Sequence, residues 1–151
     1  MNIWYLHHYA TPYEIPGLHR PFEFGEYFNN QGHKTTVFSS SYLHYISSNI
    51  IEDGSKYVLR QYDGVNAVYV NTCGYENSGV KRVINMLQFG MKLPKIANEY
   101  AKNNGKPDVI IASSPHPFTM LAGLRIAKNS VFLAYVKLGT FGRRYFSLVE
   151  N

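Results

Sequence analysis

Short, continuous apolar runs alternate along this chain with stretches in which apolar residues recur every three or four positions. The runs Asn2-Ile3-Trp4-Tyr5-Leu6, Lys34-Thr35-Thr36-Val37-Phe38 and Asp108-Val109-Ile110-Ile111-Ala112, with a later one from Val131 to Val136, are rich in β-branched and aromatic residues. Runs of this length without polar alternation predict strands buried on both faces of a parallel sheet. Two further β-rich runs, Tyr57 to Tyr62 and Val65 to Asn71, flank Asp63-Gly64, and that dipeptide predicts a hairpin of which one arm, or both, is an edge strand.

The helical stretches fall between these runs. Pro21 stands at a first-turn position, Phe24, Gly25 and Phe28 follow at helical spacing, and Gly32 supplies the stop, so the first third reads as a βαβ unit. Residues Tyr42 to Ser55 carry no period and predict an excursion beyond the second strand. From Gly79, Val80, Val83, Ile84, Leu87 and Met91 form one apolar stripe, with Lys81, Arg82, Asn85, Gln88 and Lys92 off it. Pro94 then predicts either a kink or a stop and restart, with a second helical stretch from Ile96 to Asn103 closing at Gly105. Thr119 to Lys128 is apolar nearly all round and reads as a well-buried helix. This order predicts an α/β fold, a three-layer Rossmann-like domain with a mostly parallel sheet.

In such folds ligands bind beyond the carboxyl ends of the strands. The first strand exits into His7-His8-Tyr9-Ala10-Thr11-Pro12 and the Val109 strand into Ser113-Ser114-Pro115-His116-Pro117-Phe118. If both strands are central, His8 and His116 converge on one cleft; the alternative is a pair of ordinary loop histidines. Ser113 and Ser114 have the chemistry to bond sugar hydroxyls or phosphate, although capping of the next helix, by Ser114 or the Ser113 backbone, is the stronger expectation. The loop from His7 to Arg20 leads to a helix N-terminus, where free N–H groups together with His19 and Arg20 suit an anion such as a diphosphate.

Other chemistries are disfavoured by what the chain does not contain. It has no G-x-G-x-x-G, P-loop or G-x-S-x-G motif, which argues against classical dinucleotide binding, P-loop phosphate binding and serine hydrolase chemistry. With 151 residues, the chain reads as one domain. The formal charge of +5 suits an anionic ligand or an acidic membrane surface. The cations are scattered, with Lys81-Arg82 and Arg143-Arg144 the only adjacent pairs, and the 13 Tyr and 9 Phe show no RNA-stacking signature, so no nucleic-acid partner is expected. A single Cys73 allows no internal disulfide framework, and no Cys/His spacing matches a structural zinc site. The N-terminus lacks a secretory pattern and no apolar run is long enough to span a bilayer, so the expected location is cytoplasmic.

Several fragments, taken in order, resemble a known family. They are Tyr5-Leu6-His7-His8-Tyr9-Ala10, Arg20-Pro21, Gln31-Gly32-His33, Gly79-Val80-Lys81-Arg82-Val83-Ile84-Asn85-Met86-Leu87 and Ala112-Ser113-Ser114-Pro115-His116-Pro117-Phe118. Together they resemble the N-terminal, acceptor-side domain of family 4 glycosyltransferases, one half of a GT-B fold, over roughly Asn2 to Lys128. The resemblance implies two Rossmann-like domains facing each other across a cleft, the first receiving a glycan or lipid-linked acceptor and the second holding a nucleotide sugar, with retention of configuration and a role in surface polysaccharide synthesis. It implies that His116 is catalytic, beside the transferred sugar. It implies that His8, Tyr9, Arg20, Ser113 and Ser114 approach donor or acceptor and that Arg82 and Asn85 border the acceptor side. No cofactor or metal is implied, and peripheral contact with the inner face of the plasma membrane fits the basic, aromatic surface.

The chain departs from that family after the Val131–Val136 run. Similar proteins carry Glu-Val-Arg-Asp-x-Trp-Pro there, whereas this chain reads Tyr135-Val136-Lys137-Leu138-Gly139-Thr140-Phe141-Gly142-Arg143-Arg144. One permitted set of codons for that segment, read from its third base, spells Cys-Glu-Val-Arg-Asp-Phe-Trp-Pro-Glu. The expectation is a frameshift shortly before Tyr135, so that 1–136 is the glycosyltransferase N-terminal domain and 137–151 an aberrant tail. A truncated enzyme of this kind, lacking its donor domain, is expected to be inactive alone. The alternatives are a free-standing anion- or sugar-binding module without turnover and a split enzyme completed by a separate donor half.

Overall fold

The computed structural model describes residues 1–128 and the backbone of 133–138 and 144–147. The first expected unit is present: β1 (Asn2–Leu6) leads through a loop to α1 (Arg20–Asn30) and then to β2 (Lys34–Ser40), which pairs parallel to β1. The excursion that follows is a small antiparallel ribbon of β3 (Tyr42–Leu43) and β4 (Ser48–Asn49). The hairpin of β5 (Tyr57–Tyr62) and β6 (Val65–Val70) turns at Asp63 and Gly64, whose φ values of 47° and 80° are those a primed turn requires. Next come α2 (Gly79–Asn104), β7 (Val109–Ser114), α3 (Pro117–Ala127), β8 (Leu133–Leu138) and β9 (Arg144–Ser147).

The strands form one sheet in the order β5-β6-β2-β1-β7-β8-β9. Within it β6, β2, β1, β7 and β8 run parallel, and β5 and β9 lie antiparallel at the edges. The chain thus winds outward from β1 in one direction and resumes at β7 on the other side. That reversal makes the gap between β1 and β7 the switch point of a doubly wound, Rossmann-like sheet. Of the segment 137–151, Lys137 and Leu138 complete β8 and Arg144–Ser147 forms β9; the aberrant tail expected over 139–143 and 148–151 lies outside the described residues.

Side-chain alternation sorts the core into two faces. Trp4, Leu6, Phe38, Val68, Val70, Ile110 and Ala112 pack with Phe89, Leu93, Ile96, Ala97 and Tyr100 of α2 and Ala122 and Ile126 of α3. Their opposite neighbours Tyr5, Val37, Ala67 and Tyr69 pack with Phe22 of α1. Both faces of the sheet are therefore covered, as the continuous apolar runs require.

The helices differ from the sequence pattern in three ways. In α1 the buried residues are Pro21, Phe22 and Gly25, while Phe24 is exposed. Gly25 rather than a large residue faces the sheet because a Cβ there would come within 2.8 Å of Val65. In α2 the apolar stripe from Val80 to Met91 faces solvent, and the buried side carries Asn85, Phe89, Gly90, Leu93, Ile96, Ala97 and Tyr100. Pro94 lies inside this single helix, where its ring nitrogen has no hydrogen to donate to the turn before it. Finally, α3 begins at Pro117 and leaves Leu121 46% exposed, so it is buried on one side only.

The joint between α2 and α3 is set by Gly90. A Cβ at that position would sit 2.8 Å from Phe118 Cβ and 3.0 Å from the Phe118 carbonyl oxygen, neither of which belongs to a flexible chain end. Gly90→Val is expected to destabilise the fold by about 1–3 kcal/mol in urea unfolding, as overpacking does. Gly79→Ala, at a position with nothing within 4 Å, is expected to leave stability within about 0.5 kcal/mol. Equal midpoints for the two variants would contradict the close approach.

Candidate functional site

The site continues the core row that faces α2 and α3. Along β1 the residues on that side are Trp4 and Leu6, and the next of the same parity is His8; along β2, Phe38 gives way to Ser40; after β6, Val68 and Val70 give way to Thr72; along β7, Ile110 and Ala112 give way to Ser114. The apolar row of the core thus becomes a polar row at the carboxyl edge of four adjacent parallel strands. All four polar residues are buried, between 0% and 4% exposed.

Asn85 joins three of these strand exits. Its Nδ2 donates to Thr72 Oγ1 at 3.0 Å and to the Cys73 carbonyl, and its Oδ1 lies 2.6 Å from His8 Nε2. Thr72 Oγ1 is in turn 2.7 Å from Ser40 Oγ. A backbone carbonyl only accepts, so the atom facing Cys73 is the amide nitrogen and the atom facing His8 is the oxygen. His8 therefore carries its proton on Nε2, and its Nδ1 is a buried acceptor without a hydrogen-bond partner.

His116 comes in from the other side of the switch point. It is the N-cap of α3 and makes no side-chain cap, and its ring lies 4.7 Å from that of His8, edge on. Both of its ring nitrogens are buried without a partner, as are Ser114 Oγ and Thr119 Oγ1. The expectation that a serine caps α3 does not hold: the cap position passes to His116 because β7 stays extended through Ser114. Orphaned polar atoms are uncommon in folded interiors, and several at one strand edge mark a place where water or a ligand completes the bonding.

Tyr9 and Arg82 close the site on its outer side. The Tyr9 ring packs 4.3 Å from His8, and Arg82 Nε donates to its hydroxyl at 3.3 Å with the guanidinium 5.7 Å from the ring centre. Beyond Tyr9 the rings of His44 and Tyr75 continue the wall, with centroid spacings of 5.6 Å for Tyr9–His44 and 5.7 Å for His44–Tyr75. They lead into an open cavity of about 280 Å³, bordered also by Tyr42, Ser78 and Arg82. That volume is close to the low end for small-molecule sites.

Six of the eight residues singled out in the sequence thus lie in one cluster: His8, Tyr9, Arg82, Asn85, Ser114 and His116. Two do not join it. Ser113 has the opposite parity along β7 and is half-buried on the other side of the sheet, and Arg20 is exposed at the first residue of α1. The sequence reading missed Ser40, His44, Thr72 and Tyr75. Thr72 was accessible to the same strand-exit reasoning, because the second arm of the hairpin, β6, is a parallel strand whose exit reaches the same edge. His44 and Tyr75 lie in irregular segments that carry no period.

Burial dominates the electrostatics. It pushes the His116 imidazole down to about 4, with the Arg82 charge adding to the effect. His7 is likewise lowered to about 4, by burial first, then by the charge His116 would carry, against a backbone hydrogen bond and with Arg20 contributing. Burial, followed by His116, holds His8 well below the usual histidine range, and burial followed by Arg82 lowers His44. At neutral pH these rings are uncharged, so each offers one donor and one acceptor beside a fixed cation at Arg82. That combination suits hydroxyl-rich, anionic ligands.

In comparisons with known proteins, no protein-family profile and no curated sequence matches the chain. Among solved structures it is similar to a sucrose-phosphate synthase from Thermosynechococcus elongatus, with a TM-score of 0.55 and 10% identity over 91% of this chain. The matched region is 32% of that chain, about a third of its length. The likeness is one of fold: the same kind of mostly parallel α/β domain.

The lowered histidines have a signed consequence. Between pH 6.5, where an unfolded histidine takes up its proton, and about 4, where the folded His7 and His116 do, the unfolded chain binds more protons than the folded one. Stability is therefore full above that window and falls as the pH is lowered through it, by on the order of 3 kcal/mol for one such group alone. The two together contribute less than twice that, since part of the His7 shift is due to His116. Urea midpoints should drop between pH 7 and 4.5, and His116→Asn should flatten the slope; a midpoint independent of pH over this range would contradict the burial of both rings.

Proposed function

We propose that the chain is the acceptor-side domain of a glycosyltransferase of the GT-B kind, and that the edge between β1 and β7 is where its acceptor and the diphosphate end of a nucleotide sugar meet. The observation that carries this reading is the His8–His116 pair: two buried, neutral imidazoles at the switch point of a parallel sheet, with three unpaired ring nitrogens and the unpaired Ser114 hydroxyl beside them. The fold likeness to a sucrose-phosphate synthase supports it.

In glycosyl transfer from a nucleotide sugar, the bond between the anomeric carbon and the diphosphate oxygen breaks as an acceptor oxygen bonds to that carbon. The acceptor's proton passes to the departing diphosphate oxygen, which leaves with the electron pair of the broken bond. In this reading His116 touches the transferred sugar, its neutral ring holding hydroxyls without repelling a forming positive centre. His8, locked by Asn85, presents Nδ1 as an acceptor. Ser114 bonds hydroxyl or phosphate oxygen, and Arg82 with Tyr9 lines the acceptor side, where the cavity toward Tyr75 admits a saccharide. Arg20, at the positive end of the α1 dipole, supplies positive potential for the diphosphate. Ser113, which points away from the cluster, is assigned no contact in this step.

Turnover in this proposal needs a donor-side domain, in the same polypeptide or as a separate chain. One sheet edge cannot by itself exclude water or surround the leaving diphosphate with preorganised charge. The 151 residues alone are expected to release no sugar from UDP- or GDP-sugars above the rate without protein. They are nonetheless expected to bind such compounds weakly, with Kd values of roughly millimolar order. In amide-resolved NMR titrations the saturable shifts should centre on His8, Ser114 and His116, and His116→Ala should weaken binding about tenfold, the worth of a hydrogen bond to a charged group. Shifts confined to other surfaces, or none across the panel, would refute the assignment of this edge.

A further inference from the structure

The open cavity beyond Tyr9 has two walls of different chemistry. One is a run of rings: Tyr42 and Tyr75 lie 4.6 Å apart, and His44 stacks on Tyr75 at 5.7 Å with 29° between the planes. An aromatic face carries partial negative charge, so it receives the C–H face of a sugar ring. Burial, then the Arg82 charge, keeps His44 uncharged at neutral pH, so nothing in this wall repels such a face. The rest of the lining is polar, with Ser47, Glu76, Asn77 and Ser78 able to bond hydroxyls.

Arg82 goes beyond what hydroxyls require. It is exposed at the cavity edge, and among the described residues it forms no ion pair: Nε donates to the Tyr9 hydroxyl, and the groups that act on its charge are Tyr9, Tyr75 and Tyr45. The bond to Tyr9 and the Tyr9 ring, 5.7 Å from the guanidinium carbon, fix the orientation of the fork. Its two terminal amino groups are left as parallel donors, the pattern that a carboxylate accepts with both oxygens. The start of α2, at Ser78 and Gly79, adds partial positive charge to the same lining. Glu76 opposes it and limits the charge that the cavity accepts. One carboxylate on the lining against one guanidinium suits a guest with a single negative charge better than a phosphate monoester with nearly two.

We infer that this cavity receives an acidic sugar, a hexuronic acid or a like carboxylate-bearing residue, with its ring on His44 and Tyr75 and its carboxylate on the outer edge of Arg82. Binding of the acid stands on the cavity alone. That the acid belongs to the acceptor rests on the glycosyltransferase reading. Arg82 is then a specificity-determining residue: it chooses which acceptor enters and takes no part in the bonds that form and break.

Amide-resolved NMR titration of the whole chain with methyl glucuronide, methyl glucoside and glucose 6-phosphate tests this. Methyl glucuronide should shift Tyr75, Asn77 and Arg82 with a Kd about fivefold below that of methyl glucoside, the order expected of a charge-assisted contact at an exposed arginine, and below that of glucose 6-phosphate as well. Arg82→Gln should bring the glucuronide to the level of the glucoside and leave the Kd of the glucoside within about twofold, which separates loss of the charge contact from loss of the cavity. Glu76→Gln should tighten glucose 6-phosphate about fivefold by removing the like charge. Equal Kd values for glucuronide and glucoside, tighter binding of the phosphate by the unaltered chain, a preference that survives Arg82→Gln, or no shift at the cavity with either glycoside would each overturn the inference. The nucleotide-sugar shifts at His8, Ser114 and His116 are read separately. If they appear without an acid preference at the cavity, the transfer reading stands and the acidic acceptor falls; if the acid binds at the cavity without them, the acidic-sugar site stands and the transfer reading falls.

Discussion

The arrangement at the sheet edge depends on one buried amide. Asn85 is fully buried in the second turn of α2 and satisfies a carbonyl, a hydroxyl and an imidazole at once. Leaving even one such buried group unmade costs roughly 1–3 kcal/mol, so the helix, the loop after β6 and the loop after β1 are held to one mutual arrangement. The amide also decides chemistry: because its nitrogen is committed to Cys73 and Thr72, its oxygen fixes which nitrogen of His8 bears the proton. Local structure and the protonation of His8 are set by the same contact.

That constraint works only because the topology delivers the right exits. β1 and β7 are parallel neighbours across the switch point, with Leu6 opposite Ala112, so the residues that follow them are brought together without any long loop. Period-two alternation then sends His8 and Ser114 to the same side as the core and Ser113 to the other. Gly90 lets α3 approach α2 closely enough for His116, at the head of α3, to reach the His8 ring. A buried site of neutral histidines follows from packing rules, with Arg82 the cation placed at its rim.

Much of this was legible in the residues. The apolar runs gave the parallel strands, Asp63-Gly64 gave the hairpin, and the strand-exit rule found His8 and His116. What was not legible depended on partners that a single segment does not reveal. The stripe from Val80 to Met91 is the more regular one in the sequence, yet the core side of α2 is built from Phe89, Leu93, Ile96 and Tyr100 with a glycine and an asparagine among them, because a close helix contact and a hydrogen-bonded amide were needed there. Ser114 looked like a helix cap because serine is a favoured cap residue, and only the structure shows that β7 stays extended through it and passes the cap to His116. Arg20 looked like part of the site by order along the chain; it starts α1, which packs on the other face of the sheet, and it reaches the cluster only through its charge on His7.

The most direct test is to read the protonation of the His8 ring by long-range nitrogen–proton NMR of the labelled protein at neutral pH. The account predicts a single tautomer, with the hydrogen on Nε2 and an unprotonated Nδ1, and a mixture of tautomers once Asn85→Ala removes the oxygen that fixes it. A hydrogen on Nδ1, or a tautomer mixture in the unaltered chain, would contradict it.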